Sequence, residues 1–595
     1  MNILKRDAAR NFLLAGTMLF LIGAVIMLAS VPPVSRDALT HHLAVPKLYL
    51  KHGGIYEIPA IKFSYYPMNL DLLYLVPLYF GNDIIPKYIH FMFALLTAGL
   101  IFLYLKKRLD SFWGLLGALF FLSLPIIVKL SITVYVDLGL VFFSTAAIIS
   151  LLEWIERRFQ LKYLIISAAC CGFALGTKYN GLLILFILAL VIPFVFVSNS
   201  KKVIVSKKPE NERSQLKLQL RAAGSCALFC AVALFVFSPW MVRNYIWKKN
   251  PLYPLYNSYF SHAPSQIDND DSENEEKSLL NDGLKRRGKP STRWSPLAIR
   301  KIIYGESGWE IALIPVRIFF TGRDDDPKHF DGKLSPLLFL LPFFAFFQIR
   351  SNPAALRIEK KILAAFIVLY ILYAFLQVDM RIRYVVPIIP PAVILSIFGL
   401  QQIASGLASR RLKTPQWCAP ACMLLLVCGM LAYNGSYIIE QFKHVRPYSY
   451  LSGKLNRDQY IARYRPEYNV IHYINRHLPP SSKILALFLG HRLYYCDREL
   501  ISDNDLFKRI VKRSKSPVGI RAEMQKRGIS HLFIRYDLFN FWAEKQFSEH
   551  EKKILTAFFE THLFRISSHA GYGLFQLSSG ESFGDDLRTG WLMIK

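Results

Sequence analysis

Charge is scarce in this chain, and acid is scarcer still. Of 595 residues only 19% are charged, with 42 Asp+Glu against 72 Lys+Arg, while 53% are hydrophobic and 14% aromatic. A single soluble domain cannot hide that much apolar surface, so that class is excluded. Disorder and fibrous repeats fail too, because 44 Phe, 31 Tyr and 9 Trp supply far more burial than such chains carry. Cysteines number eight, of which Cys170, Cys171, Cys226, Cys230, Cys418, Cys422 and Cys428 lie in apolar stretches and only Cys496 lies outside them. Neither a disulfide framework nor a zinc ligand set is available from them. The chain also lacks GxxxxGK(S/T), HExxH and a GxSxG in a strand-to-helix context, which removes the usual signatures of nucleotide-driven transport, zinc proteolysis and hydrolase-type acyl transfer.

What is present is a series of uncharged runs of spanning length. They fall at 12–33, 84–105, 111–131, 138–152, 162–177, 179–199, 219–240, 334–349, 362–378, 384–405 and 415–437, about eleven candidate transmembrane helices. The first is too long for a signal h-region and has no small-residue cleavage site, so it reads as a retained span. With the N-terminus in the cytoplasm, Lys106-Lys107-Arg108, Arg157-Arg158, the segment Lys201 to Arg221, Arg350 to Lys361 and Arg410-Arg411 all fall on the cytoplasmic side. The net charge of +30 is then the basic bias of membrane loops, and nucleic acid is not expected as a partner. The apolar piece Tyr65–Phe80 reads as an interfacial or re-entrant helix, since counting it as a span reverses every later loop.

This parity predicts a transmembrane domain over 1–440 with two long outer loops, 34–83 and 241–333, the second containing the stretch Ser265 to Arg293, whose polarity predicts mobility. From 441 to 595 the apolar runs shorten. PEYNVIHYINRHL and LFKRIVKRS have helix-like patterns and KILALFL and SHLFIRY strand-like ones, predicting a soluble extracytoplasmic α/β domain of about 150 residues.

In so apolar a chain, polar groups at span ends carry the information. Arg36-Asp37, His41, His42, Tyr65-Tyr66, Asp137, Lys178, Arg243-Asn244, Asp379, Arg381, Arg383 and Tyr384 all fall at the outer face, each group from a different loop or span end. Asp37, just past the first span, is a candidate general base that takes a proton from an acceptor hydroxyl; the competing reading is a helix N-cap or an ion pair with Arg36. Asp137 stands between apolar runs and also has a capping alternative. Lys178, Arg243, Arg381 and Arg383 are candidates for holding anionic oxygens, with snorkelling or flanking charges as the alternative. Tyr65, Tyr66, Trp240 and Trp309 suit stacking on a sugar, although Tyr and Trp at an interface are more often residues of an aromatic belt. No metal site is called; the one spacing open to a divalent ion is Asp37 with His41 at i, i+4.

In order, SRDALTHHLAVPKLYLKHGGIYE, YYPMNLDLLYLVPLYFG, TVYVDLGLVFF, GFALGTKYNGL, PWMVRNYIWKKNPLYP, FDGKLSPLLFLLP and RIRYVVPIIP resemble the GT-C superfamily of polytopic glycosyltransferases, in the branch of protein O-mannosyltransferases and aminoarabinose transferases. The resemblance covers roughly residues 1–405. It implies a lipid-dependent transferase: a polyprenyl-phosphate sugar bound at the outer leaflet of the inner or plasma membrane, attacked with inversion by a hydroxyl of a lipid, glycan or protein acceptor. It places the family's base on Asp37 and a second acid on Asp137, and gives Lys178, Arg243 and Arg383 the leaving phosphate. The chain departs from many relatives in having Arg36-Asp37-Ala38 where they carry Asp-Glu, which argues against a metal there.

Two rivals make distinct demands. An O-antigen ligase or polymerase works from arginines of a large outer loop instead of Asp37. A non-enzymatic lipid or sugar transporter needs ionisable groups along a transmembrane path and often repeat symmetry, whereas here the charges stay at span ends and no internal repeat is visible.

Overall fold

Over a long apolar run the backbone has no water to bond to, so its hydrogen bonds close within the segment as helix. The computed structural model describes residues 2–204, 212–260, 296–347, 354–376, 380–407 and 418–578. Among these, seven helices are long and apolar enough to cross a membrane, or up to eight if one bent pair counts as a span. They include Ala8–Ala29, Ile85–Arg108, Asp137–Glu156, Gly181–Asn199, Gln215–Lys248, Val386–Leu407 and Ala421–Val445. The bent pair is Ser111–Ser123 with Pro125–Ser131, turned by 66°. Asp110 starts it, its carboxylate accepting from the Phe112 and Trp113 amides. Pro125 ends the first helix, because a proline cannot donate back into the turn before it and suits the first turn of the next.

The expected eleven spans are therefore not all met. Residues 162–177 form Leu161–Thr177, an apolar helix of 17 residues, shorter than those seven but running back from the Glu156 end of Asp137–Glu156 to Lys178 at its Asp137 end. The run 334–349 holds only the eight-residue helix Leu337–Phe344, interrupted by Pro342. The described part of the run 362–378 lies in the helix Ala354–Leu376, whose first part carries Arg357, Glu359, Lys360 and Lys361. Tyr65–Phe80 contains the 11-residue helix Asn69–Tyr79, about 16 Å long and unable to span. The stretch Ser265 to Arg293 and Asp379 lie outside the described residues.

The chain divides into two units. The first comprises Met1–Val31, Tyr65–Asn257 and Thr292–Pro447. The second groups Pro32–Ser64 with the chain from Tyr448 onward, so residues 34–64, which the sequence assigns to a loop of the membrane domain, fold with the C-terminal domain instead. The reason is local: Pro33, Val34 and Leu39 give their carbonyls to donors of that domain.

The second unit is built on a five-stranded sheet, β1 Lys483–Leu487, β2 Glu499–Ser502, β3 His531–Arg535, β4 Leu563–His569 and β5 Tyr572–Leu577, in the order β2-β1-β3-β5-β4. β1 runs parallel to β2 and β3, while β5 pairs antiparallel with β3 and β4. The expected strands KILALFL and SHLFIRY are β1 and β3, and the expected helices are Tyr468–His477 and Asn504–Arg513. One apolar layer gathers Phe507, Ile510, Phe539 and Trp542 against Leu485 and Leu532, and the other Val470, Ile471 and Ile474 against Ile484 and Phe533. Alternating strand residues thus feed opposite faces.

Candidate active site

Helix Asp137–Glu156 is about 30 Å long over its 20 residues and carries a polar cluster at each end. At its Glu156 end, Arg108 bonds Glu156 and Glu359 at 2.7 Å each, and Lys107 bonds Glu156 at 2.8 Å. Tyr104 Oη donates to Glu359 at 2.6 Å. The charged ends of Ile85–Arg108, Asp137–Glu156 and Ala354–Leu376 thus meet here.

Most of the candidate residues of this unit gather at the Asp137 end. Asp137 is buried, and Lys178 Nζ donates to its carboxylate at 2.7 Å. Lys178 comes from the turn between Leu161–Thr177 and Gly181–Ile204, and its ammonium also stands 5.3 Å from the centroid of Tyr384. Arg383 faces the rings of Tyr384 and Tyr135 at 5.2 and 5.4 Å. Tyr370 Oη donates to the Tyr384 carbonyl at 3.2 Å.

A neighbouring cluster is joined through Tyr179. Asn244, fully buried, donates from Nδ2 to the Tyr65 carbonyl (2.9 Å), the Tyr253 carbonyl (3.1 Å) and Tyr179 Oη (3.1 Å). Arg243 donates to the Tyr65 and Tyr66 carbonyls at 2.6 and 3.1 Å and to Asn244 Oδ1, while its guanidinium lies 4.5 Å from the Trp240 centroid and 4.9 Å from that of Trp247. Trp240 Nε1 donates to Asn69 Oδ1 at 2.8 Å, and Asn69 sits so close to Gly176 that a Cβ there would meet its amide at 2.2 Å. The close helix approach therefore requires glycine. Trp240 is buried, whereas Trp309 is 74% exposed and makes no part of this cluster.

Arg381 also meets a third group of charges. It lies 3.9 Å from Asp331, which with Asp324 also holds Lys129 Nζ at 3.1 Å each. Burial pushes the Asp331 carboxyl up, but Lys129, Arg381 and Arg383 outweigh it and hold the group below the usual carboxylate range. The opposed charges tie the loop before the 380–384 turn to the bent helix.

Sequence reasoning missed His90, which is fully buried on Ile85–Arg108. Its Nε2 accepts the Leu138 amide at 3.0 Å, and its Nδ1 lies 2.9 and 3.0 Å from the Leu130 and Thr133 carbonyls. Since carbonyls only accept, the proton is on Nδ1. Tyr74 Oη donates to the Tyr135 carbonyl at 2.5 Å. Together they pin the loop that delivers Asp137. An imidazole in the apolar run of a span was the available signal.

Asp37, Arg36 and His41 belong to the second unit. Asp37 occupies the N-cap position of the π-helical turn Ala38–His42, yet its carboxylate makes no capping bond. The capping alternative is thus met in position but not in bonding. The π-helical turn is a rare form that concentrates at functional sites. His41 Nδ1 lies 2.9 Å from Thr40 Oγ1 and its ring stacks on Phe63 at 4.4 Å. Among the described residues no three His, Cys, Asp or Glu side chains come together as a metal-holding group.

Residues 73–211 match the family described as dolichyl-phosphate-mannose-protein mannosyltransferase. By structure the chain is similar to ArnT from Cupriavidus metallidurans, with TM-score 0.52 in its apo state and 0.53 in the form bound to undecaprenyl phosphate, each at 13% identity and covering 96% of this chain and 98% of that one. It is also similar to the oligosaccharyltransferase of Archaeoglobus fulgidus, with TM-score 0.50 and 11% identity over 94% of this chain and 74% of that one. At these identities the likeness shows the fold. Among curated proteins, none matches the chain by sequence.

Proposed function

We propose that this chain, a multi-pass membrane glycosyltransferase of the GT-C fold, moves a sugar from a polyprenyl-phosphate donor to an acceptor hydroxyl at the outer face of the membrane, with inversion and with Asp37 as general base. The observation that carries the reading is the gathering of Lys178, Arg243 and Arg383, interleaved with Tyr65, Tyr66, Tyr179 and Tyr384, at the bundle end opposite Arg108 and Glu359. Cations set among aromatic walls suit a phosphate that carries a sugar on one side and an apolar chain on the other. The family match and the undecaprenyl phosphate bound by the similar ArnT point the same way.

In this reading the acceptor oxygen attacks the anomeric carbon as its proton passes to the Asp37 carboxylate. The bond from that carbon to the phosphate oxygen breaks, and polyprenyl phosphate leaves with the bonding pair. Lys178, Arg243 and Arg383 offset its growing charge, a contribution that exists only as the bond breaks and so lowers the barrier. Asp137 keeps Lys178 aimed, and His90 and Tyr74 hold the loop that delivers Asp137. No metal is assigned a step; chelation with EDTA during turnover tests for one, together with restoration by added divalent ions.

The test is transfer of labelled sugar from a panel of polyprenyl-phosphate sugars to lipid, glycan and peptide acceptors, in membranes holding equal amounts of wild-type protein and Asp37→Asn. Transfer by wild type and its loss in the variant are expected. Equal transfer by both removes Asp37 from the mechanism, and no transfer from any donor favours the ligase or transporter alternatives.

A further inference from the structure

The acid-bearing segment does not end at its own turn; its backbone is gripped from the sheet domain. Arg465 Nε donates to the Val34 carbonyl at 2.5 Å, Tyr495 Oη to the Pro33 carbonyl at 2.7 Å, and the Tyr494 amide to the Leu39 carbonyl at 3.1 Å. These three acceptors flank Asp37 on both sides. Further along, Lys47 Nζ donates to the Tyr494 carbonyl and to Asp497, both at 2.8 Å. Three of the four donors come from a single loop or bond to it, Phe488–Asp497, which leaves the carboxyl end of β1.

That loop is itself stiff. Phe488, Gly490 and His491 take left-handed backbone conformations with φ of 62°, 63° and 55°; for the two non-glycine residues this is strain that persists only when the surroundings over-determine it. Asn475 holds the loop at two points, donating to the Tyr495 carbonyl at 2.8 Å and accepting from the Asp497 amide at 2.9 Å. Arg492 and Glu467, both nearly buried, pair at 2.6 Å. The Tyr495 ring packs edge-on against Tyr468 at 5.2 Å, and Tyr468 Oη is fixed on Asp458 at 2.7 Å. The grip thus runs from sheet and helices through a braced loop to the peptide groups beside Asp37.

From this we infer that the C-terminal domain is a positioning device for the reaction: Arg465 and Tyr495 are positioning residues that set the Asp37 carboxylate by holding the backbone of Pro33 and Val34. The inference rests on the reading of Asp37 as base. The π-helical turn Ala38–His42 is a rare form that needs its surroundings to hold it, and a displacement of a reacting group by about 1 Å costs on the order of 100-fold in rate. A domain held to such a segment through carbonyls makes catalysis depend on its docking while touching no substrate.

The experiment uses the full-length protein in lipid nanodiscs with Tyr495→Phe, Arg465→Ala, the double variant, Arg465→Lys and Asp37→Asn, and Lys552→Ala as a surface control. Hydrogen exchange of the peptide spanning 34–43 and the kcat and donor KM are read on each. The double variant is expected to exchange that peptide about tenfold faster and to lose at least about tenfold in kcat with donor KM within about twofold, Arg465→Lys to recover part of the kcat, and Lys552→Ala to match wild type. If Arg465→Ala yields no folded protein, Tyr495→Phe, which removes only a hydroxyl, carries the same comparison. Wild-type exchange and kcat in Tyr495→Phe and the double variant overturn the positioning role even where Asp37→Asn is inactive. Faster exchange alongside an active Asp37→Asn separates the outcomes the other way: the clamp stands as a structural fact, the base is elsewhere, and the positioning of a base by it is overturned.

Discussion

Lys178 Nζ bonds the Asp137 carboxylate at 2.7 Å across a sharp difference in burial, the acid side chain being 2% exposed and the lysine 19%. The acid is thus committed to the interior, while the cation retains a face toward solvent or ligand. A buried acid whose cation is removed has no water to replace it, and stranding such a charge costs about 3 to 5 kcal/mol. Lys178→Met is therefore expected to lower both thermal stability and transfer. Asp137→Asn/Lys178→Met removes both charges, and its melting temperature should return most of the way toward wild type while transfer stays lost. Recovery of transfer together with stability would show the pair to be structural only.

The opposite end of the same helix supplies a contrast. Glu359 is 4% exposed and held by Arg108 and by Tyr104 Oη. Arg108→Met should destabilise the bundle by a few kcal/mol, for the same stranded-charge reason. Because this cluster lies about 30 Å from Asp137 along the helix, kcat and donor KM per folded molecule should stay at wild-type values. A changed KM in protein shown to be folded would contradict the assignment of the site to one end.

Much of this arrangement was legible in the sequence, and the remainder has identifiable causes. Asp137, Lys178, Arg243 and Arg383 stand at ends of apolar runs, and run parity alone brings them to one face. Their partnerships were not readable: Asp137 and Lys178 are 41 positions apart, and a pairing at that distance depends on helix packing. Where the apolar run 334–349 suggests a span, the helix is only Leu337–Phe344 and contains Pro342, a residue that weakens a helix from within. The bonds from Arg465 and Tyr495 to Val34 and Pro33 end on carbonyls, which every residue possesses, so no side-chain pattern announces them. His90 was overlooked because a lone histidine hardly disturbs the hydropathy of its span.

Acid should loosen the second unit through His531. This residue on β3 is 5% exposed, and burial pushes its imidazole down to about 4. The unfolded chain binds that proton near pH 6.5 and the folded chain only near pH 4, so stability is intact above the unfolded value and falls as pH drops through the window between them. The full shift corresponds to roughly 3 kcal/mol. Thermal unfolding of the full chain between pH 7 and pH 4.5 should show a falling transition for the domain, with a shallower slope in His531→Asn. Equal slopes would assign the pH dependence to other groups.

Asn244 offers a nearly isosteric test of the second cluster. Its Nδ2 faces three oxygens, the carbonyls of Tyr65 and Tyr253 and the hydroxyl of Tyr179, whereas its Oδ1 accepts from Arg243. Asn244→Asp keeps shape and gives Arg243 a full counter-charge, so a simple ion-pair argument predicts a gain. The geometry predicts the reverse, since the second carboxylate oxygen would face two carbonyls with no proton between them in a site closed to water. The Tyr65–Tyr66 backbone should be driven off Arg243, which then stays with the new carboxylate in place of a phosphate. Donor binding, followed with a fluorescent polyprenyl phosphate, is expected to weaken by at least about tenfold, with stability reduced by about 1 to 3 kcal/mol. Asn244→Leu should cost comparable stability yet put no carboxylate beside Arg243, which keeps its bonds to the Tyr65 and Tyr66 carbonyls. Tighter lipid binding by Asn244→Leu than by Asn244→Asp would mark Arg243 as a phosphate-binding group, and equal binding by the two would assign the arginine to holding the Tyr65–Tyr66 backbone alone.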